Sequence, residues 1–516
     1  MPKAVFDTLK RPLVAAFVGA LSTFGFAPYK LWPATLVSVC VLFVLLHRQS
    51  WKKAAWIGLA WGLGQFGSGI WWVHVSIDNF GGLPKPASVG LMCLLVGYLA
   101  LFPALFSGLL NLSSRITPAV RYLLLAPALW LAIDWLRGWL FTGFPWLWIG
   151  YSQTEGPLAP LAPILGVEGI TLALTMVAGA VTLLLLQRKW WALAVPLVIG
   201  GATYWAGQQT WVTPQNDLRT SVALIQGNIP QAVKWLPSQR WPTLMKYFDL
   251  TRQNWDADII VWPEAAVPAL EREIPTFLSN LDNAARRNNT ALITGILDQN
   301  DKGQFFNNVM VLGDNGAKDY TYPGAVVYSK HHLLPFGEFV PFEDLLRPLA
   351  PIFNLPMSSF SRGKFEQPNL DAKGHKLSTA LCYEIAFSDQ VRKNTHKDTD
   401  FILTLSNDSW FGRSIGPIQH LEIAQMRALE LGKPVIRATN NGVTAVIGSN
   451  GRIQASIPQF ETAVLRTDVV PTRGLTPYAR FGSLPLYIFS GFALLLSLIA
   501  ACFRRQPQSK AAAEQQ

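Results

Sequence analysis

Apolar residues run in long blocks through the first two hundred positions and again near the end, and in short blocks between. Crossing the hydrocarbon core of a bilayer takes roughly 20 apolar residues. Seven such stretches precede residue 210, at about 12–28, 31–47, 54–76, 87–110, 120–140, 160–187 and 190–207, and an eighth lies at 484–503. Each is expected to be a helix, because an open sheet would leave backbone groups unpaired in lipid. The first run has the basic lead of a secretory signal, but Phe26-Ala27-Pro28-Tyr29 is a poor cleavage site and further spans follow at once, so it reads as a true helix.

From Arg219 to about Val470 the pattern changes to short apolar runs separated by polar segments of helical period. Strands are expected at Ser221–Gln226, Ile259–Trp262, Ala291–Leu297, Val309–Leu312, Val326–Tyr328, Leu377–Tyr383, Phe401–Leu405, Pro434–Ala438, Val443–Gly448 and Ala463–Thr467. Amphipathic helices are expected at Ser238–Trp255, Ile274–Asn288 and Ile415–Leu431. Several strands are too uniformly apolar to have one wet face, which calls for sheets covered on both sides. Two such sheets with outer helices would use all of these strands in a layered α/β domain. The expected organisation is a transmembrane bundle over 1–210, a soluble domain over 211–475, a last membrane helix over 476–505 and a disordered tail over 506–516.

Composition agrees: half of the residues are hydrophobic and only 15% are charged, against roughly 25% in an average soluble chain. The net charge of +11 does not mark a nucleic-acid binder, because much of the basic excess flanks the apolar runs. Lys3, Lys10 and Arg11 precede the first span, Arg48, Lys52 and Lys53 follow the second, Arg115 and Arg121 the fourth, Arg188 and Lys189 the sixth, and Arg504 and Arg505 the eighth. By the positive-inside rule these loops and both termini face the cytoplasm, and the segment 208–483 faces outward, which in a bacterium with two membranes is the periplasm. Within the fifth run, Asp134 and Arg137 are expected to pair near a helix end. The aromatic stretches Phe66–Phe80 and Trp139–Tyr151 suit residues at headgroup level, as anchors or as the floor of a lipid-accessible cavity.

Cys40, Cys93 and Cys502 lie in apolar segments, so the soluble domain has one thiol, Cys382. A disulfide within that domain and a multi-cysteine zinc site are excluded. No phosphate-cradling or dinucleotide motif is present, and neither cofactor nor metal is expected. Cys382 ends an expected strand, Glu264 is projected beyond another by Pro263, and Lys330 follows a third. Singly these are a core thiol, a loop carboxylate and a surface charge. Together they are a nucleophile, a base and a fixed cation, which suffice for acyl transfer through a covalent intermediate.

Trp262-Pro263-Glu264, Lys330-His331-His332-Leu333-Leu334-Pro335-Phe336-Gly337-Glu338 and Cys382-Tyr383-Glu384 resemble, in that order, the signatures of the nitrilase superfamily. With the eight-span layout, Leu405-Ser406-Asn407-Asp408-Ser409-Trp410-Phe411-Gly412 and Arg437-Ala438-Thr439-Asn440-Asn441-Gly442 resemble its membrane-embedded bacterial branch, the apolipoprotein N-acyltransferase family, over almost the whole chain.

The resemblance implies an α-β-β-α sandwich beside the helical bundle, with a triad of Glu264 as general base and acid, Lys330 as oxyanion stabiliser and Cys382 as nucleophile. It implies ping-pong transfer of an acyl chain from a membrane phospholipid, through a Cys382 thioester, to the α-amino group of the S-diacylglyceryl cysteine of an apolipoprotein. Glu338, Tyr383 and Glu384 take supporting places, with Glu338 expected to orient Lys330 or to anchor the loop. No nucleic acid is implied, and the chain is read as a monomer.

A thioester must be kept from water until its acceptor arrives. The apolar segment Phe336–Phe365, with Phe339, Phe342, Phe353 and Met357, is a lid or a lipid-dipping arm, or else a helical insertion packed on the domain; Trp235 and Trp241 pose the same choice. A membrane-anchored amidase, or a transporter whose soluble domain only binds ligand, are the rival functions.

Overall fold

The computed structural model describes residues 3–80, 84–112, 116–316, 319–340 and 360–503. A helix stands in each of the eight long apolar stretches: α1 (Lys3–Leu21), α2 (Trp32–Leu46), α3 (Trp51–Gly69), α4 (Lys85–Leu110), α5 (Ala126–Trp139), α6 (Ala162–Gln187), α7 (Ala194–Gly207) and a C-terminal helix at Leu484–Phe503. Among the described residues four are long and apolar enough to cross a membrane: Lys85–Leu110, Pro118–Thr142, Ala159–Gln187 and Leu484–Ala501. Trp32–Leu46 is apolar but shorter. The stretch 190–207 divides into a 3-10 turn over Trp190–Leu193 and the 14-residue α7.

Close packing explains why α3 falls short on apolarity. A Cβ on Gly64 would lie 1.9 Å from the Ala16 carbonyl oxygen, and one on Gly58 would lie 2.3 Å from that of Pro103. Small residues at such contacts let helices approach in a membrane, at the expense of hydropathy. The outer faces of the helices carry exposed Leu13, Phe17, Leu94, Leu101, Leu197 and Ile488, as a lipid-facing surface requires.

The rest of the described chain builds two large sheets, besides a two-stranded ribbon of Thr213–Pro214 with Thr472–Arg473. The first joins β1 (Thr220–Gln226), β2 (Ile259–Val261), β3 (Val267–Leu270), β4 (Ala291–Gln299), β5 (Phe305–Gly313), β6 (Val327–Ser329) and a late strand at Ala463–Val469, which lies antiparallel to β1. The second has the order Ile453–Ile457, Thr444–Ile447, Val435–Thr439, Phe401–Ser406, His375–Leu381, Leu370–Ala372. In chain order these are β7 (Leu370–Ala372), β8 (His375–Leu381), β9 (Phe401–Ser406), β10 (Val435–Thr439), β11 (Thr444–Ile447) and β12 (Ile453–Ile457), and the late strand is β13. β1, β2 and β4 run parallel, as do β8, β9 and β10. Their apolar residues meet between the sheets, with Leu224, Val261 and Ile293 facing Leu381, Leu403 and Ile436 in one buried cluster.

Helices α8 (Arg240–Arg252) and α9 (Pro275–Arg287) cover the outer face of the first sheet. The outer face of the second is covered by α10 (Gly416–Leu431), every residue of which except Ile418 is buried. One side of α10 packs on Ala380, Ile402 and Val435, and the same cluster continues into the bundle through Trp72, Trp146 and Ile170. The two halves therefore share one apolar core. All ten expected strands are present, usually within two residues of their expected ends. Short β3, β7 and β12 escape notice because three to five residues show little periodicity.

Candidate active site

The site forms where parallel strands end, the usual place for chemistry in such sheets because loops diverge there. β8 stops at Leu381, two residues earlier than expected, because Cys382 takes a left-handed φ of +50° and opens a 3-10 turn over Cys382–Ala386. That conformation is costly for a residue with a Cβ, so surrounding contacts must hold it. His420 on α10 supplies one, with its Nε2 3.0 Å from the Cys382 carbonyl oxygen. Tyr383 supplies another, its hydroxyl donating to the Gly143 carbonyl in the loop after α5 at 3.0 Å.

Glu264 follows β2 through Pro263. Gly295 on β4 lets this loop approach, since a Cβ there would sit 2.6 Å from the Ala265 nitrogen and 2.8 Å from the Glu264 Cα. Glu264 Oε1 accepts from Asn307 Nδ2 at 2.9 Å, and Oε2 accepts from the Asn407 N–H at 3.0 Å. Lys330, just beyond β6 and only 2% exposed, places Nζ 3.3 Å from Glu264 Oε1 and 2.9 Å from a Glu338 carboxylate oxygen. Asn307 also reaches Glu338 at 3.2 Å, so one amide spans both carboxylates beside the cation.

Glu384 lies behind this group. One of its oxygens accepts the His331 and His332 N–H groups at 2.7 and 2.9 Å, and the other accepts the Tyr328 hydroxyl at 2.9 Å and the Leu381 N–H at 2.7 Å. Glu384 therefore ties the Lys330 segment to the end of β8, and its lone pairs are engaged in holding structure. Glu338 reaches Lys330 and also accepts the Leu334 N–H at 2.8 Å, so orientation of the cation and anchoring of its loop are one arrangement.

Burial, and then the Glu264 charge, push the Cys382 thiol well above the usual cysteine range, while Lys330 pulls the other way. The site therefore rests as a thiol. Burial would strip Lys330 of its proton, but the Glu264 and Glu338 charges outweigh it and hold the ammonium above its ordinary range. Among the described residues no group of three or more His, Cys, Asp and Glu could hold a metal ion.

Several residues here carried no assigned part in the sequence. Lys234 is buried and donates to the Glu264 carbonyl at 3.3 Å; burial, partly offset by Glu264, brings it down to about 8. Asn407 and Asp408 lie in a quoted motif, where only their position beyond a strand set them apart. Asn307 is a polar residue in an apolar strand, a signal that a buried amide has a fixed partner. Among the proposed lid residues, Trp235 is 36% exposed beside Lys234, whose Nζ lies 5.9 Å from its ring, and Phe339 is half-buried under the Arg362 guanidinium at 5.2 Å. Phe342, Phe353 and Met357 lie outside the described residues.

Two family models match the chain: Carbon-nitrogen hydrolase over residues 221–477, and Apolipoprotein N-acyltransferase N-terminal domain over residues 18–180. The apolipoprotein N-acyltransferase of Photobacterium profundum is 60% identical over 97% of this chain and 96% of its own length. That of Vibrio cholerae is 61% identical over 96% of this chain and 98% of its own. Among solved structures, Saccharomyces cerevisiae Nit3 of the nitrilase superfamily is 17% identical, with a TM-score of 0.36 over 52% of this chain and 95% of that one.

Proposed function

The chain belongs to the apolipoprotein N-acyltransferase family, and from that premise we propose that Cys382, Lys330 and Glu264 carry out its chemistry. The protein is an acyltransferase of lipoprotein maturation, with a carbon-nitrogen hydrolase domain joined to membrane helices and with lipid and lipoprotein substrates. The observation that carries the residue assignment is the buried Lys330 ammonium, held between two carboxylates and within electrostatic reach of a thiol on a strained turn.

In the first half-reaction Glu264 takes the Cys382 proton as the sulfur attacks an ester carbonyl of a phospholipid. Lys330 and the Tyr383 N–H meet the oxyanion. Collapse expels the lysophospholipid alkoxide, which takes the proton from Glu264 and leaves a thioester on Cys382. In the second, Glu264 accepts a proton from the α-ammonium of the S-diacylglyceryl cysteine of an apolipoprotein, and the amine attacks the thioester. An amide forms, the thiolate regains a proton from Glu264, and the second amine proton goes to solvent. Because both substrates carry long acyl chains, the site opens toward the bilayer, with Trp235 and Phe339 at its rim.

The eight helices span the inner membrane, both termini lie in the cytoplasm and the sandwich lies in the periplasm, following the basic loops. Residues 1–210 form the bundle, 211–475 the catalytic domain, 476–505 the last span and 506–516 a cytoplasmic tail. The protein acts as a monomer. Transfer of a labelled acyl chain from phospholipid vesicles to a diacylated lipopeptide tests the assignment: the wild-type protein labels the peptide and Cys382→Ala does not. Equal labelling by both proteins would refute it.

A further inference from the structure

Behind the nucleophile lies a buried polar cluster on which the mechanism above makes no demand. Ser406, the last residue of β9, places Oγ 3.3 Å from Cys382 Sγ and 2.5 Å from Asp408 Oδ1. Asp408 Oδ2 accepts Arg437 Nη2 at 2.7 Å. Ser406, Asp408, His420 and Arg437 are all fully buried or nearly so. Gly442 makes room for the carboxylate, since a Cβ there would come within 2.1 Å of Asp408 Oδ2.

The proton positions follow from the donors available. Burial favours the neutral acid at Asp408, but Arg437, with help from Ser406, holds it down to about 2. It is a carboxylate and can only accept. The His420 Nε2 faces a carbonyl and must donate, so its hydrogen is there. Burial, then Arg437, keep this ring neutral, and Nδ1 is left as the acceptor for Arg437 Nη2 at 3.2 Å. The short contact between Asp408 and His420 is then a proximity of two acceptors rather than an ion pair.

Ser406 has one hydroxyl hydrogen, and a carboxylate oxygen at 2.5 Å takes it in preference to a sulfur at 3.3 Å. What Ser406 offers Cys382 is a lone pair. We propose that Ser406 is a positioning residue that accepts a hydrogen bond from the resting Cys382 thiol, its own hydrogen committed to Asp408, and so holds the thiol protonated and aimed until Glu264 removes the proton. This rests on the assignment of Cys382 as nucleophile. Glu264, Lys330 and Asp408 supply the charges facing the thiol, and Asp408, by taking the Ser406 hydrogen, turns the acceptor side of that hydroxyl toward sulfur. The bond exists only while sulfur carries hydrogen, so it is lost in the thioester.

A serine that donated to sulfur would stabilise the thiolate and ease ionisation; one that accepts stabilises the thiol and opposes it. The two give opposite signs. Full-length wild-type and Ser406→Ala proteins in detergent are alkylated with iodoacetamide and with N-ethylmaleimide from about pH 7 to about pH 10, and Cys382→Ala is subtracted to remove the other cysteines. Losing one acceptor for a weak donor is expected to make S406A react about threefold faster at each pH below the midpoint, by the same factor for both reagents. Slower or unchanged alkylation overturns the proposal, as does a factor that differs between the reagents, which signals altered access. Ser406→Gly repeats the comparison if S406A does not fold. Thioester formation by the wild-type protein on phospholipid is followed alongside: its absence refutes the Cys382 assignment, whereas the alkylation comparison needs no lipid and judges Ser406 alone.

Discussion

Among single residues, Lys330 bears the heaviest chemical demand. It is buried between Glu264 and Glu338, and in the proposed mechanism its charge meets the oxyanion. Lys330→Ala is expected to lower acyl transfer by about 10²–10³-fold, the usual loss when one oxyanion donor is removed. Lys330→Arg should fare little better, because a planar fork does not fit where a compact ammonium contacts two carboxylates. Full activity of K330R in a labelled-lipid assay would deny Lys330 its part. Asp408 makes a prediction about pH. Its pKa is held at about 2 in the fold against 3.8 for the free side chain, so its contribution is present above that ordinary value and lost as pH falls from about 4 to about 2. That difference corresponds to about 2 kcal/mol. Thermal unfolding of the wild-type protein should lose stability across that window, and Asp408→Asn should lose less.

α10 is the element that most separates the sequence from the structure. Its residues read as an amphipathic helix, and its polar face would ordinarily meet water. It is buried instead, because the membrane half supplies the partners: Gln419 meets Trp72 and Trp146, Glu422 accepts the Ala27 N–H at 3.0 Å, and Glu430 accepts the Val167 N–H at 2.8 Å and pairs with Arg427. No local pattern could separate a face wetted by solvent from one wetted by another domain's backbone. The strands were legible because their runs are short and mostly apolar, several uniformly so, and Glu264, Lys330 and Cys382 could be singled out because each follows one in a distinctive motif. Asn307, Ser406 and His420 were not, since their parts depend on neighbours distant in the chain. Glu430→Ala leaves Arg427 as an uncompensated buried charge and should cost roughly 3–5 kcal/mol. Thermal melts that match the wild type would show that neither this pair nor the Glu430 bond to Val167 stabilises the fold.

At the scale of the whole molecule, bundle and sandwich share an apolar core, so the catalytic domain has no independent outer surface on its α10 side. Expressed alone, residues 211–475 are expected to aggregate or bind membranes, which size-exclusion chromatography would reveal; a monodisperse soluble domain would contradict the shared core. The proposed topology has its own check. With native cysteines removed, Asp301→Cys should react with an impermeant maleimide on intact spheroplasts and Lys189→Cys only after lysis. Passage of the acyl chain through Cys382 can be seen by incubating the full-length protein with phospholipid vesicles without acceptor and mapping the adduct by mass spectrometry. One hydroxylamine-sensitive acyl group is expected on Cys382, discharged when a diacylated lipopeptide is added. Transfer to the peptide with Cys382 unmodified at every time point would contradict passage through Cys382.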